Sequence, residues 1–141
     1  MAEALLQQLF NNAAANRKAG KISVRSCGLT ALTGQPADPA AVELMQERGI
    51  DITSHRATPI DIAKINWADL VLVMESWQKD EIQMRVPSST GKVFRLGHFS
   101  DSDIPDPYRA PKDKFAEALR LIEQSVSLWV NETIRSEAAS G

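Results

Sequence analysis

The stretch DLVLVM, Asp69 to Met74, constrains the fold most. Leu70 to Met74 run without a polar break, and the flanking Asp69 and Glu75 are charged. A run this short, with valine at two of its five positions, does not fit a helix face repeating every 3.6 residues. It fits a strand covered on both sides, as the inner strands of parallel sheets are. Such a strand requires helices on both of its faces.

The rest of the chain offers those helices. From Ala2 to about Asn16, Leu5, Leu6, Leu9, Phe10 and Ala13 recur at one-turn spacing, and Gly20 ends the pattern after Arg17 and Lys18. Asp38 reads as an N-cap with Pro39 at the first helical position, and Gly49 as the stop. Asp61 to Ala68 reads as a short helix, and Ser76 caps another that runs to about Arg85. Pro111 opens a long final helix with Phe115, Leu119, Ile122, Val126 and Trp129 on its inner face. The strands KISVRS (Lys21 to Ser26) and KVFRL (Lys92 to Leu96) join DLVLVM. Gly28 to Pro36 and Gly97 to Ala110 read as loops. Helices alternating with strands predict an α/β fold with a parallel sheet. With 141 residues there is one domain, expected over residues 1–135, with residues 136–141 fraying.

Composition narrows the function. The net charge is −2 and no block of like charge stands out, so there is no basic face for nucleic acid. No apolar run is long enough to insert in a membrane. The opening MAEALLQQLF carries Glu3 and lacks a basic start, so it does not read as a signal peptide. Cys27 is the only cysteine, and His55 and His98 lie far apart, so no disulfide or metal centre is expected. The chain reads as cytoplasmic.

Three positions are candidates for chemistry. Asp106 lies in DIPDPYR, where Pro105 and Pro107 stiffen the backbone around its carboxylate. Asp–Pro is also a common turn-former, so the residues alone leave both a turn and a positioned acid open. Cys27 follows a strand, yet the residue six positions on is Thr33, where a phosphate-binding arginine would be needed. Cys27 reads as a small buried filler. His55, beside Thr53 and Ser54, reads as a member of a side-chain network. Trp67, Trp77 and Trp129 read as helix-packing residues.

Taken in order, SVRSCGLTALTGQPADPAAVELMQERGIDITSHRA, ADLVLVME, GKVFRLGHFSDSDIPDPYRAP and FAEALRLIEQS resemble the low-molecular-weight protein tyrosine phosphatases over essentially the whole chain. GLTALTGQPADP with IPDPYR is most similar to the bacterial branch that partners tyrosine autokinases of capsule and exopolysaccharide production. The resemblance implies a three-layer, doubly wound parallel sheet with helices on both faces. It implies hydrolysis of phosphotyrosine through a phosphocysteine, with no cofactor or metal. It makes Asp106 the general acid and base, Tyr108 an aromatic wall of the substrate cleft and Leu32 a neighbour of the opposite wall. Ser26 and His55 become supports of the phosphate loop.

The chain departs from the family in one respect. The family's first strand and its C-x5-R-S-P loop would fall ahead of Met1, and Cys27 cannot replace them. The chain as given is therefore expected to lack both nucleophile and phosphate-binding arginine. The absent strand would lie between KISVRS and DLVLVM, leaving dimerisation or strand exchange as ways to complete the sheet. A start placed at an internal methionine, a truncated non-catalytic homologue and a phosphotyrosine-binding module are the readings this leaves. An arsenate reductase on the same fold is disfavoured by the lack of resolving cysteines.

Overall fold

A computed structural model describes residues 1–13, 22–29 and 33–140. The helices are α1 (Ala2–Ala13), α2 (Pro39–Glu47), α3 (Ile62–Trp67), α4 (Ser76–Arg85) and α5 (Lys112–Ser140). The strands are β1 (Val71–Val73) and β2 (Val93–Arg95), paired in parallel with Val71 opposite Val93 and Val73 opposite Arg95.

Local chemistry explains most boundaries. Asp38 caps α2 by accepting from the Ala40 N–H at 2.8 Å, with Pro39 in the first turn. Gly49, at φ 74°, turns the chain out of α2 while the Ile50 N–H returns to the Met45 carbonyl at 3.0 Å. Asp61 caps α3 through the Lys64 N–H. The cap of α4 is Glu75 rather than Ser76: Glu75 and Gln78 form a reciprocal capping box. Ser76 turns instead to Asp103. Helix α5 continues to Ser140, past Ser136 where fraying is expected.

The strands place alternate side chains on opposite faces. On one face Leu72, Met74 and Phe94 pack against a core built from α1, α2 and α5, including Leu6, Met45, Leu119 and Val126. On the other, Val71, Val73 and Val93 meet Ile65 of α3 and Ile82 of α4. The inner face of α5 is as expected, with Phe115, Leu119, Ile122, Val126 and Trp129 all buried. Trp129 also donates to the Leu96 carbonyl at 2.8 Å. Trp67 and Trp77 differ from expectation: they are 49% and 53% exposed, and the Arg25 guanidinium lies 4.7 Å from the Trp67 ring centroid.

KISVRS is the main correction. Residues 22–27 carry no strand assignment, and the sheet has the two strands β1 and β2. The period-2 pattern is present, since Ile22 and Val24 pack against the first core. A strand also needs a backbone neighbour, and no backbone hydrogen bond among the described residues joins this segment to β1. Lys21 lies outside the described residues.

Candidate active site

Asp106 and Tyr108 sit on the loop after β2, at the carboxyl end of the sheet, where open α/β folds present ligand-binding groups. The loop is fastened at several points. Ile104 is 2% exposed and its N–H donates to the Met74 carbonyl at 2.9 Å. Asp103 accepts from the Ser76 N–H at 3.2 Å, from Ser76 Oγ at 2.9 Å and from Arg95 Nη1 at 2.9 Å. Arg95 also donates to Asp101 at 2.5 Å. These bonds, Arg95 first, hold the Asp103 carboxyl below the usual aspartate range. Gly97 allows the loop to fold back: a Cβ there would lie 2.2 Å from the Ser102 carbonyl oxygen.

Beyond these anchors the chain makes the turn that Asp–Pro favours. Asp106 Oδ1 accepts from the Tyr108 N–H at 3.0 Å, and the Ala110 N–H donates to the Pro107 carbonyl at 2.8 Å. Tyr108 is 59% exposed, with the Arg109 guanidinium 5.2 Å from its ring centroid. Arg109 has φ 62°, in the left-handed region that side chains seldom occupy. The two sequence readings of Asp106 are therefore compatible: its carboxylate shapes a turn and stays exposed to solvent.

Ser26 and His55 are brought together by a residue that sequence reasoning missed. Glu3 Oε2 accepts from Ser26 Oγ at 3.0 Å and lies 3.2 Å from His55 Nδ1. The available signal was a lone acid in the first turn of α1, which alone reads as dipole stabilisation. Thr53 does not join His55; its N–H and hydroxyl both donate to Asp51. No hydrogen bond or ion pair among the described residues links the Ser26–Glu3–His55 cluster to the Asp106 turn. Leu32 lies outside the described residues.

Cys27 is exposed, not the buried filler expected. Desolvation by the surrounding protein nevertheless pushes its thiol pKa up, with Lys64 opposing and Asp61 adding to the rise. A thiol shifted this way is poorly ionised near neutrality and weak as a nucleophile. Among the described residues no three histidine, cysteine or carboxylate side chains group to hold a metal ion. None of the described helices is long and apolar enough to cross a membrane. A surface groove lined by Pro36, Val42, Gln46 and Thr53 contains none of the candidate residues.

The family model described as low molecular weight phosphotyrosine protein phosphatase matches residues 1–140. The chain belongs to that family. It is 48% identical over 130 residues to a probable low molecular weight protein-tyrosine-phosphatase, EpsP, of Ralstonia nicotianae, covering 92% of this chain and 83% of the relative. The crystal structure of the tyrosine phosphatase Wzb from Escherichia coli K30 in complex with sulphate superposes with a TM-score of 0.84 at 31% identity, covering 94% of this chain and 87% of Wzb. The YwlE arginine phosphatase from Geobacillus stearothermophilus gives 0.85 at 26% identity, covering 99% and 90%. The fold is the α/β architecture of these phosphatases.

Proposed function

We propose that this chain is the scaffold and acid-bearing part of a phosphotyrosine-hydrolysing site. Asp106 is the general acid that protonates the leaving phenolate, then the base that takes a proton from the water cleaving the phosphoenzyme. Phosphoryl transfer depends on positioning and charge stabilisation, to which a placed carboxyl adds proton transfer. Tyr108 forms one wall of the cleft against the substrate ring. Ser26 and His55, joined by Glu3, support the loop that carries the phosphate. The observation that carries this reading is the Asp106–Tyr108 turn, held by Ile104 and Asp103, in a chain that matches the family over residues 1–140.

The nucleophile is not among these 141 residues. Cys27 is the only cysteine, and Thr33 stands where the arginine would be needed. The chain as given is therefore inactive in cysteine-dependent hydrolysis. The substrate is a phosphotyrosine protein, in our reading a bacterial tyrosine autokinase of polysaccharide export; the similarity to EpsP and Wzb supports this.

A fusion tests the assignment. A strand and C-x5-R-S-P loop of the family's pattern are joined ahead of Met1, and phosphotyrosine and phosphoarginine peptides are offered. The fusion is expected to hydrolyse phosphotyrosine, with kcat falling about 10²- to 10⁴-fold in Asp106→Asn. An active fusion indifferent to Asp106→Asn would remove Asp106 from the chemistry. A preference for phosphoarginine would remove the substrate class.

A further inference from the structure

The turn that carries Tyr108 holds a residue that does not suit its backbone. The Ala110 N–H donates to the Pro107 carbonyl at 2.8 Å, which makes Tyr108 and Arg109 the two central residues of a β-turn. Arg109 has φ 62°. A positive φ at that position of a turn favours glycine or asparagine, and a longer side chain is strained there. Among the described residues the other non-glycine residue with positive φ is Asp101, a type that tolerates it. Packing does not call for an arginine here, because Arg109 is exposed. Strained backbone of this kind recurs at ligand clamps.

The guanidinium is also unspent. Arg48, Arg85, Arg95 and Arg135 each pair with a carboxylate, and Arg56 donates to the Thr53 and His55 carbonyls. Arg109 makes no hydrogen bond or ion pair with another described residue. Asp106, three residues before it, turns Oδ1 to the Tyr108 N–H instead. What Arg109 meets is the Tyr108 ring, 5.2 Å from guanidinium carbon to ring centroid. A cation over an aromatic face is attracted by the ring, and the contact leaves the guanidinium N–H groups without an acceptor.

We infer that Arg109 is a specificity residue, selecting segments in which an aspartate or glutamate lies beside the phosphotyrosine. The inference rests on the proposed reading of Tyr108 as a wall of the cleft. The ring that faces the substrate tyrosine in that reading also carries the guanidinium, so the cation stands at the rim, where the substrate's neighbouring residues pass. A planar guanidinium with its N–H groups unbonded matches a carboxylate in a two-pronged pair. A lysine would supply the charge without the fork or the flat face that lies on the ring. Exposure sets the scale of the effect. A solvated pair gives a modest preference, which salt weakens.

The test is an NMR titration of the 141-residue chain with two phosphotyrosine peptides, one flanked by glutamates and one by glutamines, and with phenyl phosphate. The glutamate peptide is expected to shift the Tyr108 and Arg109 amides and to bind about two- to fivefold more tightly than the glutamine peptide, an advantage lost at high salt. Arg109→Gln is expected to remove the advantage and Arg109→Lys to retain part of it. Arg109→Gly, which suits the positive φ of the turn, is expected to remove it while resisting urea at least as well as the wild type. Equal affinity of the wild type for both peptides, with the Tyr108 amide shifting, would overturn the role of Arg109 and leave the cleft reading standing. A Tyr108 amide that responds to none of the three ligands would remove Tyr108 from the cleft and this inference with it. Phenyl phosphate binding that weakens in Arg109→Gln as much as binding of the glutamate peptide would assign the guanidinium to the phosphate and overturn the acidic neighbour.

Discussion

Arg95 donates to Asp103 at 2.9 Å, and this bond ties the end of β2 to the loop that carries Asp106. Asp103 passes the restraint on to the first residue of α4 through Ser76. The acid loop is thus held to the end of β2 and the start of α4 by one carboxylate, three residues before the candidate acid.

That carboxylate should make the loop acid-sensitive. Its folded pKa lies below the ordinary value of 3.8, so the stabilisation is present above 3.8 and is lost as pH falls through the depressed folded value. Thermal unfolding followed from pH 6 to pH 2 should show this fall in the wild type. Asp103→Asn should lower stability at pH 6 and flatten the curve below 3.8. An unchanged curve would mean the contacts are not made in solution.

Gly97→Ala should be costly for a steric reason. Its Cβ would lie 2.2 Å from a backbone oxygen of Ser102, which has no flexible end to move aside. Overpacking of this kind costs about 1–3 kcal/mol. Urea unfolding should register that loss, and the exchange rate of the Tyr108 amide should rise as the turn loosens. Stability equal to wild type would contradict the close approach.

The Glu3–His55 contact predicts a modest coupling. Both side chains are about one-third exposed, at 30% and 37%, so solvent screens the pair. A double-mutant cycle with Glu3→Ala and His55→Ala should return about 0.2–1 kcal/mol. Additive effects would place the two side chains apart.

The core of α5 gives a larger effect. Leu119 is completely buried, and Leu119→Ala should cost about 2–5 kcal/mol by chemical denaturation. A loss below 1 kcal/mol would mean that the site collapses around the missing atoms or was never packed.

Elements with local signals were legible in the sequence. Asp38, Pro39 and Gly49 mark α2 within one turn of chain, and the spacing from Phe115 to Trp129 marks the buried face of α5. Features that depend on distant partners were not. KISVRS has a strand's side-chain pattern, but the groups meeting its backbone are Gln7 and Thr58 side chains. Glu75 displaces Ser76 as the cap of α4 because Gln78 completes a box with Glu75 and Asp103 engages Ser76. The turn at Asp106 was legible in its Asp–Pro pair, whereas the contacts of Glu3 became visible only once α1 stood beside Ser26 and His55.

The most direct measurement is phosphate release from a phosphotyrosine peptide by the purified 141-residue chain, compared with Cys27→Ser and Asp106→Asn. The expected result is no release above the buffer rate from any of the three, because on the proposed assignment these residues hold the acid and not the nucleophile. Turnover that survives Cys27→Ser and disappears in Asp106→Asn would contradict this, and would require a nucleophile other than cysteine within these residues.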